Sequence, residues 1–136
     1  MSVIHTEDGL PGFTSVREWS LEREDDAPFA LLRNLQEPGI GLLVTEPWDL
    51  APGYEPELPE EELARIGATE PADVQLLVVA TIARSHGIDG DKDGGSPAIW
   101  LNLAAPITVN VRTNQARQVI LDRQGWPLRH CVVAGV

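Results

Sequence analysis

The sequence predicts an all-β domain, built as an antiparallel barrel-like or sandwich-like fold with one short helix. Its 136 residues are about the length of one domain, and eleven prolines and twelve glycines separate short apolar runs. In the clearest run Ile107, Val109 and Val111 alternate with polar residues, which is typical of a strand with one buried face. No internal repeat or break in composition divides the chain, so residues 1–136 are expected to form a single domain.

Eight strands are predicted from the apolar runs. In chain order they are Val16–Leu21, Phe29–Leu35, Ile40–Thr45, Val74–Ala83, Ile99–Leu103, Ile107–Arg112, Ala116–Leu121 and Leu128–Val133. Pro106 directly precedes the sixth strand, where its missing N–H costs little, and residues 113–115 are expected to turn the chain into the seventh. The residues around His5 are expected to form a flexible end.

One short helix is predicted after Pro59. Pro59 presets φ for a first turn, and the three glutamates that follow it complement the positive end of the helix dipole. Leu63 and Ile66 lie three residues apart and would bury one face, and Gly67 supplies the stop. We expect this helix to cover the edge of the sheet as a lid.

Acidic residues dominate the charge. Twenty-one acids against ten bases give a net charge of −11, which repels phosphate backbones and disfavours direct nucleic-acid binding. Such a surface attracts a basic partner or serves solubility alone. Between Glu46 and Asp73 nine acids accompany one base, Arg65. We predict that the most crowded acids bind a partner, the alternative being a solvated face. These acids are Glu55, Glu57, Glu60, Glu61 and Glu62.

The sequence carries no targeting signal that we can identify. Its longest apolar stretch, Leu76–Ala83, is far shorter than the roughly 20 residues of a membrane span. The first residues lack the basic and apolar regions of a signal peptide, and the single cysteine, Cys131, permits no internal disulfide. We therefore expect a monomeric cytoplasmic protein without membrane contact.

No arrangement of residues predicts catalysis, a cofactor or a bound metal. Asp89–Gly94 begins like a calcium loop, but Trp100 stands where the bidentate glutamate belongs. His130 and Cys131 are neighbours on a predicted strand and point to opposite faces, so they cannot pair as base and nucleophile. A protein that is not an enzyme is expected.

Two further sets of residues are candidates for partner contact. Trp19 and Trp100 fall in strands and are expected to fill the core, whereas Trp48 and Trp126 lie in turns and are expected to be exposed contacts. A carbohydrate-binding module built on the tryptophans is the least favoured function. The second set is Asn102, Ala105, Pro106 and Asn110. Because asparagine is a poor strand residue, these positions predict a corner held by polar side chains, with direct partner contact as the alternative.

Six segments occur in a characteristic order and spacing. They are GLPGF at 9–13, PFALL at 28–32, LVTEP at 43–47, YEPEL at 54–58, NLAAPITVN at 102–110 and QVIL at 118–121. In this arrangement, over about residues 9–122, the chain resembles the flagellar assembly factor FliW family.

The resemblance implies an all-β, barrel-like fold and a function in protein binding. Family members bind flagellin in the cytoplasm, and they bind CsrA, a small dimeric RNA-binding protein that represses flagellin mRNA. Capture of CsrA relieves that repression and flagellin competes for the same factor, so translation follows flagellin export. A flagellin-specific chaperone without CsrA binding is the alternative function.

The chain departs from the family in three places. It starts close to the segment before the GLPGF turn, where the family has an additional strand and turn of about fifteen residues. Closure of the barrel is therefore left open, with an unpaired edge as one outcome. The loop Ser85–Pro97 is longer and more acidic than expected, and a basic C-terminal tail is replaced by Gly125-Trp126-Pro127 and a hydrophobic end.

Overall fold

The structure, a computed structural model, describes residues 2–23, 27–84 and 97–133, and these form nine strands and one α-helix. The strands are β1 (Ser2–Thr6), β2 (Glu18–Glu22), β3 (Ala30–Asn34), β4 (Gly41–Thr45), β5 (Val74–Arg84), β6 (Pro97–Leu101), β7 (Ile107–Asn110), β8 (Gln115–Gln118) and β9 (His130–Val133). The helix, α1, spans Glu60–Arg65, and a short 3-10 turn occupies Pro71–Asp73. Within these ranges no helix has the length and apolar character needed to cross a membrane.

Seven of the strands close into a barrel. Their order is β4-β3-β2-β1-β8-β7-β5, and β5 pairs with β4 to complete the ring. The last contact is the antiparallel pairing of Val44 with Val79 and of Thr45 with Val78. Strands β6 and β9 extend the sheet beyond the ring, along the second half of the long strand β5. The barrel is therefore closed, which answers the question that the short N-terminus left open.

Closure depends on β1, which lies where a flexible end is expected from the sequence. It pairs antiparallel with β2 and parallel with β8, where Thr6 lies opposite Ala116. Thr6 is buried, and its hydroxyl donates to the Val16 carbonyl at 2.9 Å and accepts from the Trp19 indole N–H at 3.2 Å. His5 is thus a strand residue, and the expectation of a flexible end is wrong.

The GLPGF segment is a tight turn that closes the barrel's interior. Gly9 has φ of +70°, and a Cβ atom there would lie 2.4 Å from the Phe13 carbonyl oxygen, so only glycine fits. The turn places Leu10 in the core, 1% exposed, and the Phe13 ring packs edge-on against Trp19 with 5.6 Å between centroids. Trp19 fills the core as predicted.

The middle of strand β5, residues 76–80, is buried or half-buried on both faces, which explains its continuous apolar sequence. Leu77 belongs to the core inside the barrel, whereas Leu76 and Val78 belong to a second apolar cluster with Tyr54 and Leu101. This second cluster lies beneath the segment that carries α1, and it positions the candidate site described below.

Two expectations about the later strands need correction. Strand β8 ends at Gln118, but Val119 and Leu121 stay buried because their N–H groups donate to the carbonyls of Pro106 and Ala104. Trp100 is only half-buried, and the Arg129 guanidinium lies 4.6 Å from its ring centroid, so it is not a core residue. The calcium-like segment Asp89–Gly94 and most of the long acidic loop lie outside the described residues.

Candidate partner-binding groove

A groove of about 950 Å³ lies between α1, the segment before it and the 3-10 turn; we call it the acidic groove. Its floor and walls are mainly apolar and its rim carries glutamates. The residues that line it are Trp48, Tyr54, Glu55, Pro56, Glu57, Leu58, Glu60, Leu63, Ala68, Thr69, Glu70, Pro71, Val74 and Leu76.

Tyr54 anchors the floor of the groove. Its side chain is 4% exposed, and its hydroxyl donates to the Leu103 carbonyl at 2.7 Å. Burial raises the pKa of this phenol well above its ordinary value of 10.0, so it remains a neutral donor. The Trp126 ring packs edge-on against Tyr54 with 4.8 Å between centroids, so Trp126 is half-buried structure rather than an exposed contact. Trp48 is 48% exposed, as expected, at 6.3 Å from the Tyr54 ring.

Gln124 holds one wall of the groove from a distant part of the chain. Its amide donates to the Glu57 carbonyl at 2.7 Å and accepts from the Glu57 N–H at 2.8 Å. The same oxygen accepts from the Trp126 indole at 3.3 Å. The short segment between Tyr54 and Pro59 has no regular secondary structure, and this pair of bonds fixes its position.

Helix α1 forms the next part of the wall. Pro59 is its N-cap residue with extended backbone rather than its first turn, and Gly67 ends it with φ of +72°, as predicted. Ile66 is buried and Leu63 half-buried, so these two residues form the apolar face. The Ile66 carbonyl accepts from the Asn110 amide at 2.8 Å, which fastens the end of the helix to β7.

Glu62 faces the barrel and forms an ion pair with Arg117. The Arg117 guanidinium also donates to the Asp8 carboxylate at 2.6 Å, and the Arg65 guanidinium lies 3.9 Å from the Asp8 carboxylate. The hydrogen bond that Arg117 donates to Glu62 is the main reason that the pKa of Arg117 is raised. Glu62 therefore holds α1 on β8, and its charge is neutralised locally instead of facing a partner.

Asp73 supports the opposite wall. The residue is 8% exposed, and its carboxylate accepts from the N–H groups of Thr69 and Glu70 at 3.4 and 3.3 Å, and from Arg112 at 3.3 Å. These bonds hold the 3-10 turn over Val74 and satisfy a carboxylate that would otherwise be buried without partners.

Four of the crowded acids remain available to a partner. Glu55, Glu57, Glu60 and Glu61 are exposed, and no base in the described ranges forms an ion pair with any of them. Three of the four line the groove, and Glu61 lies beside it on α1. Of the five acids predicted from the sequence to bind a partner, four therefore lie at the rim of the groove, and the fifth, Glu62, holds α1 in place.

The residues of the NLAAPITVN segment support the groove from below. Asn110 is fully buried, and its oxygen accepts from the Arg112 N–H at 2.9 Å while its nitrogen bonds Ile66. The Asn102 oxygen accepts from the N–H groups of Ala104 and Ala105 at 3.1 and 3.2 Å, which forms the predicted corner. Ala105 and Pro106 are buried. The side chains at these positions therefore make internal contacts.

Several groove residues had no sequence signal of their own. Gln124 and Arg117 are single polar residues whose partners lie 67 and 55 positions away, and nothing local indicates such contacts. Trp126 beside Pro127 was visible as an aromatic turn residue but not as a neighbour of Tyr54. In the described part of the chain no three histidine, cysteine or acidic side chains come together as a metal site would require.

These features define a class: a small closed β-barrel that carries an apolar groove with an acidic rim. The sequence model of the family described as FliW protein matches residues 1–132, and the chain belongs to this family. The match extends further than the resemblance over residues 9–122, because β1 and the tail segment are included.

Relatives and a solved structure agree with this membership. The chain is 32% identical over 128 residues to a flagellar assembly factor FliW of Geobacillus kaustophilus, covering 94% of this chain and 82% of that protein. It is 30% identical to one of Clostridium botulinum, covering 92% of this chain and 82% of that protein. A crystal structure of the flagellar assembly factor FliW superposes with a TM-score of 0.79 at 30% identity, covering 94% of this chain and 83% of that one.

Proposed function

We propose that this protein is a cytoplasmic, non-enzymatic flagellar assembly factor that binds flagellin and a CsrA-type translational regulator. In this function free protein captures the regulator and relieves repression of flagellin mRNA, and newly made flagellin displaces the regulator. Flagellin synthesis then follows flagellin export. The observation that carries the proposal is the row of glutamates on the rim of an apolar groove, which have no basic partner among the residues that the structure describes, in a chain of this family.

Charge supports a basic, RNA-binding partner. The chain carries −11, and Glu55, Glu57, Glu60 and Glu61 place part of that charge beside the groove. A regulator that binds RNA presents a basic surface, so the rim attracts it and speeds association. Once bound, the acidic protein repels the phosphate backbone, which opposes simultaneous binding of mRNA.

The first test measures association of purified regulator and of flagellin by stopped flow over a salt series. Glu60→Gln together with Glu61→Gln removes two rim charges and leaves the Glu62 ion pair intact. We expect several-fold slower association of the regulator at low salt and a flatter salt dependence, because exposed charges act over about 10 Å at ~0.1 M salt. The matched control, Glu18→Gln with Glu37→Gln, removes the same charge outside the groove.

The outcomes separate the candidate functions. If both double variants reduce association equally, net charge rather than the rim attracts the partner. If flagellin binds and the regulator does not, the protein is a flagellin-specific chaperone and the translational part of the proposal fails. If neither binds, the proposed function is refuted.

A further inference from the structure

We propose that the acidic groove binds an amphipathic helix of its protein partner. Apolar side chains of that helix lie on the groove floor, and lysines or arginines beside them face the glutamates of the rim. The inference rests on the proposed function for the claim that the partner is a protein with basic charge. It adds which element of that partner is recognised and through which contacts.

The floor offers apolar surface that is only partly covered. Trp48 is 48% exposed and Leu58 and Leu63 are half-buried, over a base formed by Tyr54 and Leu76. A volume of about 950 Å³ is near the upper end of the range for binding sites, about 300–1,000 Å³, so several side chains fit together. Large side chains half-open to water at the centre of a groove are typical of contact residues.

Several backbone groups along the walls of the groove cannot hydrogen-bond to an added strand. Pro56 and Pro71 have no N–H, and both the N–H and the carbonyl of Glu57 are bonded to Gln124. The Pro59 carbonyl accepts from the N–H groups of Glu62 and Leu63 in α1. Strand addition needs free main-chain groups, so these parts of the walls favour recognition through side chains, which is the helix-in-groove mode.

The rim selects the charge of the occupant. Glu55, Glu57, Glu60 and Glu70 line the groove, and no described basic side chain lines it. A partner helix with an apolar stripe flanked by positive charge matches both the apolar floor and the acidic rim of the groove. The apolar side chains that contact the floor would stand at positions i, i+3 or i+4, and i+7 of that helix. A second copy of this chain is a poor occupant, since each copy carries −11.

The test uses a labelled synthetic peptide of roughly 18 residues, about five helical turns, with a leucine stripe flanked by lysines. Fluorescence anisotropy measures its affinity for the full protein. We expect specific binding that weakens about tenfold in Trp48→Ala, since exposed tryptophans in grooves are common binding anchors. The control Ile120→Ala truncates an apolar side chain that is 59% exposed and outside the groove lining, and affinity stays unchanged.

Two further peptides make the result decisive. A peptide with the same composition but no apolar stripe and a peptide with glutamates in place of lysines are both expected to bind far more weakly. Equal binding of the rearranged peptide means that charge alone attracts it, and the inference is wrong. Equal affinity of Trp48→Ala and the parent also refutes it, and urea unfolding confirms that both variants are folded.

Binding of purified regulator and flagellin to Trp48→Ala separates this inference from the proposed function. If both bind Trp48→Ala as they bind the parent, the proposed function stands and the groove is not where they bind. If the stripe peptide binds and neither protein does, the groove recognises a basic helix and the proposed function falls.

Discussion

Replacing Asn110 by alanine tests how the groove is supported. The side chain is fully buried and makes two hydrogen bonds, to the Ile66 carbonyl at 2.8 Å and from the Arg112 N–H at 2.9 Å. The substitution leaves both partners without a bond and creates a small cavity. A buried polar group left unsatisfied costs about 1–3 kcal/mol, so we expect the free energy of unfolding to fall by about 2–4 kcal/mol.

The assay combines urea unfolding with binding of both proposed partners. For a domain of this size a loss of that order corresponds to a fall in melting temperature of about 10 °C. Because the end of α1 is released from β7, affinity for the regulator and for flagellin should fall together. Asn34→Ala is the control. Asn34 is also buried, and its side-chain oxygen accepts from the N–H groups of Gln36 and Glu37 at 2.8 and 3.1 Å in the turn after β3. Its replacement should lower the free energy of unfolding without affecting the groove. Unchanged stability of Asn110→Ala with loss of a single partner would refute the reasoning and place Asn110 in an interface.

Three further predictions follow from single contacts. Tyr54 is the chain's one tyrosine and burial raises its pKa above 10.0, so ultraviolet titration of the folded protein should give no phenolate signal near pH 10. The free energy of unfolding should fall as pH rises above about 10, because the tyrosine ionises in the unfolded chain only. A normal titration of Tyr54 in the folded protein would contradict the buried hydrogen bond. Glu62→Gln should lower the free energy of unfolding by about 1–2 kcal/mol in urea titrations, because it breaks the ion pair with Arg117 that holds α1. The control Glu61→Gln should change it by no more than about 0.5 kcal/mol. Equal losses in the two variants would mean that the ion pair contributes nothing to stability. Gly9→Ala should lower the free energy of unfolding by more than about 2 kcal/mol in calorimetry, since the new Cβ would overlap the Phe13 carbonyl. A melting temperature like that of the parent would show that the turn adapts to the side chain.

Local pattern was enough to predict most strands and the helix. The apolar runs of β3 to β5 are visible in the sequence because each strand buries at least one face. The period of two located β7 but not its burial: Thr108 and Asn110 are fully buried and Val111 is 50% exposed, so the expected single buried face is wrong. Strand β1 was missed for a physical reason. One of its inward residues is Thr6, whose hydroxyl is satisfied by Val16 and Trp19, and a short strand with a polar inward residue has no clear apolar period.

The candidate site was predictable in its charges and in the exposed Trp48, but not in the rest of its apolar floor. Five crowded glutamates are evident from composition, but their separate roles depend on Arg117, which meets Glu62 from another strand. The apolar floor was hidden because it forms from Tyr54, Leu76 and neighbours far apart in sequence. Sequence spacing carries information about a helix face or a strand face, and a groove between a loop, a helix and a turn has no such period.

The pairing of β1 with β8 has a consequence for how the nascent chain folds. Strands β1 to β4 can assemble as a hairpin series once Thr45 has left the ribosome, but β1 keeps an open edge until Ala116 emerges to pair with Thr6. At about 5–20 residues per second, synthesis of the intervening segment takes several seconds. During that interval a four-strand intermediate exposes two edges and the face that later surrounds Leu77, which favours pairing with other chains. The half-made chain therefore carries unpaired strand edges for the seconds that synthesis of the remaining strands takes.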